Sequence, residues 1–230
     1  IAAGNRNLEE GVSGAAPEAE LVIVKLKPAK EYLRELYLIP PEAEVFQEDD
    51  IMLGISYAIK CALRYQKPLS VCVGLGSSQG SHRGDGPLSQ YISSIADFTQ
   101  NCVSVAAGNE GLARRHYMGL LDEKTTSDIL ELRVGAKEAV HGFSMEFWGE
   151  ASDFYHVTIQ SPTGERLQVS SALKYGTQEL SFVFVETKVM VNYVPIERRS
   201  GNTLIFFRFL HPAEGIWKLE TSGRLNSSAR

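Results

Sequence analysis

Three cysteines and two tryptophans in 230 residues are few, and the cysteines are odd in number. Cys61, Cys72 and Cys102 each fall in an apolar run. They are expected to be buried free thiols rather than a disulfide framework, which favours a reducing compartment over secretion. No paired-Cys zinc pattern and no phosphate-cradling Gly-Lys-Ser/Thr loop occurs, so no metal or other cofactor is expected. Lys and Arg total 23 against 28 Asp and Glu, a net charge of −5 with no basic stripe, which argues against nucleic acid as a partner. No apolar run approaches the length of a membrane span. Repeats and low-complexity tracts are absent as well.

What is present is ordinary globular material, 43% hydrophobic and 22% charged. The length suits two modest domains, each able to bury a core. In the first half, apolar runs at residues 21–26, 69–73 and 103–107 read as strands. Between the first two, Ile51, Met52, Ile55, Ala58, Ile59, Ala62 and Leu63 repeat at helical spacing behind the acidic Asp49 and Asp50. Residues 89–100 form a second helix candidate, with Tyr91, Ile92, Ile95, Ala96 and Phe98 as its apolar side. Strand, helix, strand, helix, strand argues for parallel pairing through crossovers. Pro40-Pro41 interrupts any helix through residues 33–38 and marks a surface excursion.

Val103-Ser104-Val105-Ala106-Ala107-Gly108-Asn109-Glu110-Gly111 carries the most chemical information. The side chains shrink to Ala-Ala-Gly, which lets another backbone approach closely, and an amide follows at once. Such an N–H₂ group suits the stabilisation of a carbonyl oxygen as it becomes an oxyanion. The same residues also describe a strand running into an ordinary Gly-Asn-Glu-Gly turn. Other patterns carry less. Gly76-Ser77-Ser78-Gln79-Gly80 matches a nucleophile elbow in letters, but no helix can begin at once after the Ser because Arg83-Gly84-Asp85-Gly86-Pro87 intervenes. Arg83-Gly84-Asp85 reads as a polar loop, His82 with Asp85 as half a metal site without its other half, and His116 as a turn or surface residue. Asn226-Ser227-Ser228 fits a glycosylation sequon in a flexible tail.

The ordered set Gly14-Ala15-Ala16-Pro17-Glu18-Ala19-Glu20-Leu21, Gly74-Leu75-Gly76 and Ala106-Ala107-Gly108-Asn109-Glu110-Gly111 resembles the subtilisin-like serine proteases. Ile1-Ala2-Ala3-Gly4-Asn5 resembles the end of that family's helix bearing the catalytic His. Glu48-Asp49-Asp50-Ile51-Met52-Leu53-Gly54-Ile55, Gly80-Ser81-His82-Arg83-Gly84 and Arg115-His116-Tyr117-Met118-Gly119 are similar to the clostridial germination-protease (Csp-type) branch. The resemblance covers about residues 1–120 and implies a partial subtilisin-like parallel sheet with helices. It implies Asn109 as the oxyanion-hole donor, Gly74, Leu75 and Gly76 as the strand edge on which a peptide or protein substrate lies, and Ala106, Ala107 and Gly108 as a wall of the pocket before the cut bond. Gly74 stands where the family usually has Ser, and Ser77 where it has a second Gly. Pocket preference therefore does not transfer.

The reaction of that family needs a Ser nucleophile, a His base and an orienting Asp. None of the three motifs occurs here, and the chain begins after the expected His and stops before the expected Ser. The expectation is an internal fragment of an endopeptidase, inactive alone, with the triad in its parent. The alternatives are a fragment of a pseudoprotease used for sensing or scaffolding, or a jelly-roll binding module. In subtilases the strand bearing the catalytic Asp lies between the counterparts of residues 21–26 and 69–73. Without it two apolar edges lack a partner, so self-association or local disorder of residues 1–120 is expected.

From Ser127 the period changes to two, with short apolar runs and turn residues. Strands are expected at 129–134, 143–148, 155–160, 166–170, 180–184, 188–193, 204–209 and 217–221, with almost no helix. Ser161-Pro162-Thr163-Gly164 supplies a turn between two of them. Residues 121–222 are therefore expected to form a β-sandwich, which the Csp-type resemblance makes an inserted jelly-roll, and 223–230 a flexible tail. The fold class is α/β plus all-β. The sandwich is expected to brace the protease core or to bind glycan or peptide. Trp148, Phe154, Tyr155, Phe206, Phe207 and Trp217 are the residues that an exposed binding face would display and that a core would bury.

Overall fold

The structure, a computed structural model, describes residues 2–224 apart from 6, 8, 99, 123, 124, 151, 152 and 171–175. The sequon and most of the expected tail lie outside the described residues. Among residues 2–5 there is no helix.

The first half is built on a parallel pair of strands backed by helices. Helix α1 (Glu31–Tyr37) is short and ends on Leu38, whose φ of 54° is left-handed. The Arg34 guanidinium then closes the Pro40-Pro41 excursion by donating to the carbonyls of Pro40, Pro41 and Ala43 at 2.7, 3.0 and 3.0 Å. Helix α2 (Glu48–Tyr65) carries Glu48, Asp49 and Asp50 in its first turn, where the N-terminal partial positive charge favours them. Gln47 immediately before it is buried and accepts the backbone N–H of Lys30 at 3.0 Å, joining the starts of the two helices. Helix α3 (Pro87–Ala96) begins on proline, which suits a first-turn position with no N–H to satisfy.

Strands β1 (Leu69–Val73) and β2 (Asn101–Val105) pair in parallel, Leu69 opposite Asn101 through Val73 opposite Val105. One face of this pair packs on α2 and α3. Ile55, Val73 and Ile95 are buried there, with Ile51, Ile59, Val71, Leu75, Tyr91, Ile92 and Val103 around them. The other face carries Ser70, Cys72, Cys102 and Ser104 and is open.

That open face corrects two expectations. Cys72 and Cys102 are exposed because only one side of the two-stranded sheet is covered, Cys61 on α2 is half-buried, and all three are free thiols. Residues 21–26 form no strand: no ladder partner lies beside them among the described residues, and Leu21 and Ile23 are exposed. Val24 packs instead on α2 at Gly54, where an added Cβ would approach its Cγ1 to 2.8 Å. Helix α3 is also shorter than expected, stopping before Phe98, which is exposed.

The second half is two four-stranded antiparallel sheets packed face to face. Its strands are β3 (Ser127–Val134), β4 (Phe143–Gly149), β5 (Phe154–Gln160), β6 (Arg166–Val169), β7 (Thr177–Ser181), β8 (Lys188–Val194), β9 (Thr203–Leu210) and β10 (Gly215–Arg224). The sheet orders are β3-β10-β5-β6 and β4-β9-β8-β7. A helix absent from the sequence reading, α4 (Ala136–His141), joins β3 to β4. Strand β7 lies three residues earlier than expected. The Glu165 carboxylate accepts the backbone N–H groups of Val183 and Phe184, which turns the chain before those residues can pair.

Period-two burial builds the core: Val189, Val191 and Tyr193 on β8 and Ile205, Phe207 and Phe209 on β9 face Val157, Ile159, Val169, Trp217 and Leu219 of the other sheet. Trp217 meets Phe182 and Phe209 edge-on at 5.1 and 5.6 Å, and its Nε1 donates to the Ala213 carbonyl at 2.9 Å. The six aromatic residues divide. Tyr155, Phe207 and Trp217 are core, Phe154 is exposed, and Trp148 and Phe206 lie half-buried on the outside of the β4-β9-β8-β7 sheet.

Phe207→Ala should lower sandwich stability by about 3–5 kcal/mol, and the exposed Phe154→Ala by less than about 0.5 kcal/mol, in urea titrations. Fluorescence reports this half selectively, since both tryptophans lie in it. A second prediction concerns alkaline pH. Burial pushes the Tyr155 phenol up from 10.0 to about 12. The folded state therefore holds a proton that the unfolded state releases above pH 10, so this stability is complete below pH 10 and is lost as pH rises toward 12. Tyr155→Phe should flatten the fall in stability over that window, measured by denaturant titration at each pH.

Candidate functional site

In an open α/β sheet the carboxyl ends of parallel strands are the natural place for a ligand. Here β1 runs into Gly74-Leu75-Gly76 and β2 into Ala106-Ala107-Gly108-Asn109. The ladder continues one step past both strands, the Ala106 N–H donating to the Val73 carbonyl at 3.0 Å. The structure therefore brings the two sets of expected site residues side by side. A Cβ placed on Gly76 would lie 4.0 Å from the Ala106 carbonyl oxygen, ordinary contact, while Gly74 and Gly108 face open space.

The alternation of the strand persists into the first segment. Leu75 turns inward and packs on the helix-backed core, whereas Gly74 and Gly76 are exposed. The outward surface of this segment is thus mainly backbone, the property a strand-adding peptide needs. In the second segment β2 ends at Val105, two residues before the expected strand end. Ala106, Ala107, Gly108 and Asn109 are all exposed. Gly108 has a φ of 84°, which an L side chain rarely adopts, and it redirects the chain so that Asn109 lies in a bend. Beyond it Glu110 pairs with Arg115 at 3.2 Å, and the Ala113 N–H donates to the Glu110 carbonyl at 2.8 Å.

The segments after the two strand ends are linked. The imidazole rings of His82 and His116 lie 4.7 Å apart, so the segment following β1 touches the one following Asn109. Residues 77–86 are internally braced: the Gln79 N–H donates to Ser77 Oγ at 3.1 Å, and Ser81 Oγ donates to Asp85. No helix follows Ser77 or Ser78, so the nucleophile-elbow letters describe a bent loop. Arg83-Gly84-Asp85 belongs to that same loop.

Sequence reasoning missed what holds this loop. Strand β4 presents Ser144, Glu146 and Trp148 on its outer face, two residues apart. Glu146 Oε2 accepts the Gly80 backbone N–H at 2.7 Å and Trp148 Nε1 at 2.9 Å. Arg83 reaches Glu150 at 3.1 Å just beyond the strand. Ser144 Oγ donates to the Tyr37 carbonyl at 3.1 Å, and the Tyr37 ring meets Phe206 edge-on at 5.6 Å. Burial raises the Tyr37 phenol above its ordinary range, and the nearby Glu146 and Glu48 carboxylates add to that. Phe206 on the outer face is therefore covered by the first half. No sequence pattern signals a contact between residues 66 apart.

No family model and no curated protein matches the chain. Among solved structures the fold is similar to that of the Clostridium perfringens CspB protease, with a TM-score of 0.76 and 23% identity. The match covers 97% of this chain and 44% of that one, so the chain spans less than half the length of the protein whose fold it shares.

The open sheet face makes a direct prediction. In the native chain an aromatic disulfide reagent should modify Cys72 and Cys102 rapidly and Cys61 more slowly, located by mass spectrometry. Protection of Cys72 and Cys102 until denaturation would show that this face is covered in solution.

Proposed function

We propose that the chain forms the substrate-edge and oxyanion part of a subtilisin-like serine endopeptidase of the Csp type. The observation that carries this reading is the adjacency of Gly74-Leu75-Gly76 and Ala106-Ala107-Gly108-Asn109 at the carboxyl ends of two parallel strands. The protease fold of the structural neighbour supports it.

On this reading an extended peptide pairs its backbone with residues 74–76, with recognition by main-chain groups and not by side chains. Ala106, Ala107 and Gly108 leave room for the residue before the scissile bond. The Asn109 side-chain N–H₂ then donates to the carbonyl oxygen as it gains charge in the tetrahedral intermediate, an interaction stronger in the transition state than in the ground state. The Ser, His and Asp of the triad belong to the parent protein, outside these 230 residues, so this chain alone hydrolyses nothing. The sandwich is read as a jelly-roll relative because its first and last strands interleave, β3 with β10 and β4 with β9.

The full-length parent should hydrolyse a fluorogenic peptide and label covalently with a fluorophosphonate, whereas the 230-residue chain should do neither. Asn109→Ala in the parent should reduce kcat by about 10²–10³ with a much smaller change in KM. That magnitude is the one known for a subtilisin donor of this kind and is carried over from that family. A parent that neither labels nor cleaves would favour the pseudoprotease alternative, and an unchanged kcat in the variant would remove Asn109 from the mechanism.

A further inference from the structure

We propose that Glu146 of the sandwich is a positioning residue for residues 74–86, so that one carboxylate on β4 sets the course of the edge assigned to the substrate. The role assigned to that edge rests on the preceding reading; the positioning itself does not.

Three observations lead there. The first is the arrangement at Glu146 Oε2, which takes two donors from different parts of the chain. Trp148 Nε1 at 2.9 Å comes from the same strand and fixes the carboxylate's orientation, and the Gly80 N–H at 2.7 Å comes from the loop. Both bonds are charge-assisted, the kind roughly twice as strong as neutral ones. Glu146 is half-buried, so water competes less for it than for an exposed carboxylate. The second is Gly80 itself. Its φ of 98° is one that side chains other than hydrogen rarely permit, and it lies in the same loop segment whose N–H meets the carboxylate.

The third is reach. Gly80 follows Gly76 by four residues, a span of at most about 14 Å in extended chain. The Ser77 bond to the Gln79 N–H shortens it further. Fixing Gly80 on β4 therefore restricts where Gly76 can lie beside Ala106. The Arg83–Glu150 pair also joins loop to sandwich, but both side chains are exposed and such pairs contribute little. His82 against His116 passes the restriction on to the segment after Asn109.

The test uses two readouts. In the 230-residue chain, amide NMR of Glu146→Ala should show loss of exchange protection at Gly80 and shift changes extending through Gly74 and Gly76. Glu146→Gln, which keeps a carbonyl acceptor, should restore much of both, and Arg83→Ala should leave both near wild type. Trp148→Phe, which removes only the orienting donor, should give a smaller version of the Glu146→Ala pattern and serves if that variant folds poorly. In the full-length parent, Glu146→Ala should raise KM for a peptide about tenfold with kcat changed less, because ground-state and transition-state binding are lost together. Changes confined to β4, with residues 74–76 unmoved, would overturn the proposal. The expected NMR response in a parent that cleaves no peptide would uphold the positioning and discard the reading of the edge as a substrate site.

Discussion

A β-strand has two faces, and β4 uses both. Its odd-numbered residues Phe143, Met145 and Phe147 pack against the sandwich core, while Ser144 and Glu146 bond to the first half of the molecule and Trp148 orients Glu146. This depends on strict alternation, because a one-residue slip would send the carboxylate into the core and a phenylalanine to the interface. The register is secured by the neighbouring strand, where Phe209 stacks on Phe143 at 4.7 Å and Phe206 lies under Tyr37. Gly149 is part of the same device: the Tyr155 ring occupies the space its side chain would take. The loop that follows residues 74–76 is tied to this strand at Gly80.

The two halves differ in what holds them. Among the described residues the sandwich core contains thirteen buried apolar residues, whereas the helix-backed core of the first half contains three. Hydrophobic stabilisation scales with buried area, so the smaller core is the weaker unit and gains from resting on the larger one. The candidate site sits on that weaker unit, at strand ends whose residues are glycine, alanine and asparagine. Small exposed side chains leave room for a peptide but contribute little burial.

Sequence reading succeeded where periodicity and local chemistry decide structure. Alternation located seven of the eight described sandwich strands and placed β7 three residues too late, and the acidic start and apolar face located α2. The Gly-Leu-Gly and Ala-Ala-Gly-Asn segments were legible as strand ends, and pairing of β1 with β2 does bring them together. It failed where a partner, and not the segment, decides. Residues 21–26 are apolar and β-branched, yet a strand needs a neighbour to receive its hydrogen bonds, and Val24 found helix α2 instead. Cys72 and Cys102 lie in apolar runs but on the uncovered face of a two-stranded sheet. Glu146 carried no local signal, because its role is set by a loop that arrives from elsewhere in the chain.

The sandwich anchors the half that carries the candidate site, which rests on it through the outer face of β4. Native-state amide exchange at increasing denaturant tests this most directly. Amides of β8 and β9 should exchange only through the highest-energy opening, while those of β1 and β2 open at distinctly lower free energy, lowered further when Ser144 and Glu146 are both replaced by alanine. A single opening free energy shared by all four strands, or β1 and β2 amides indifferent to the β4 replacements, would contradict it.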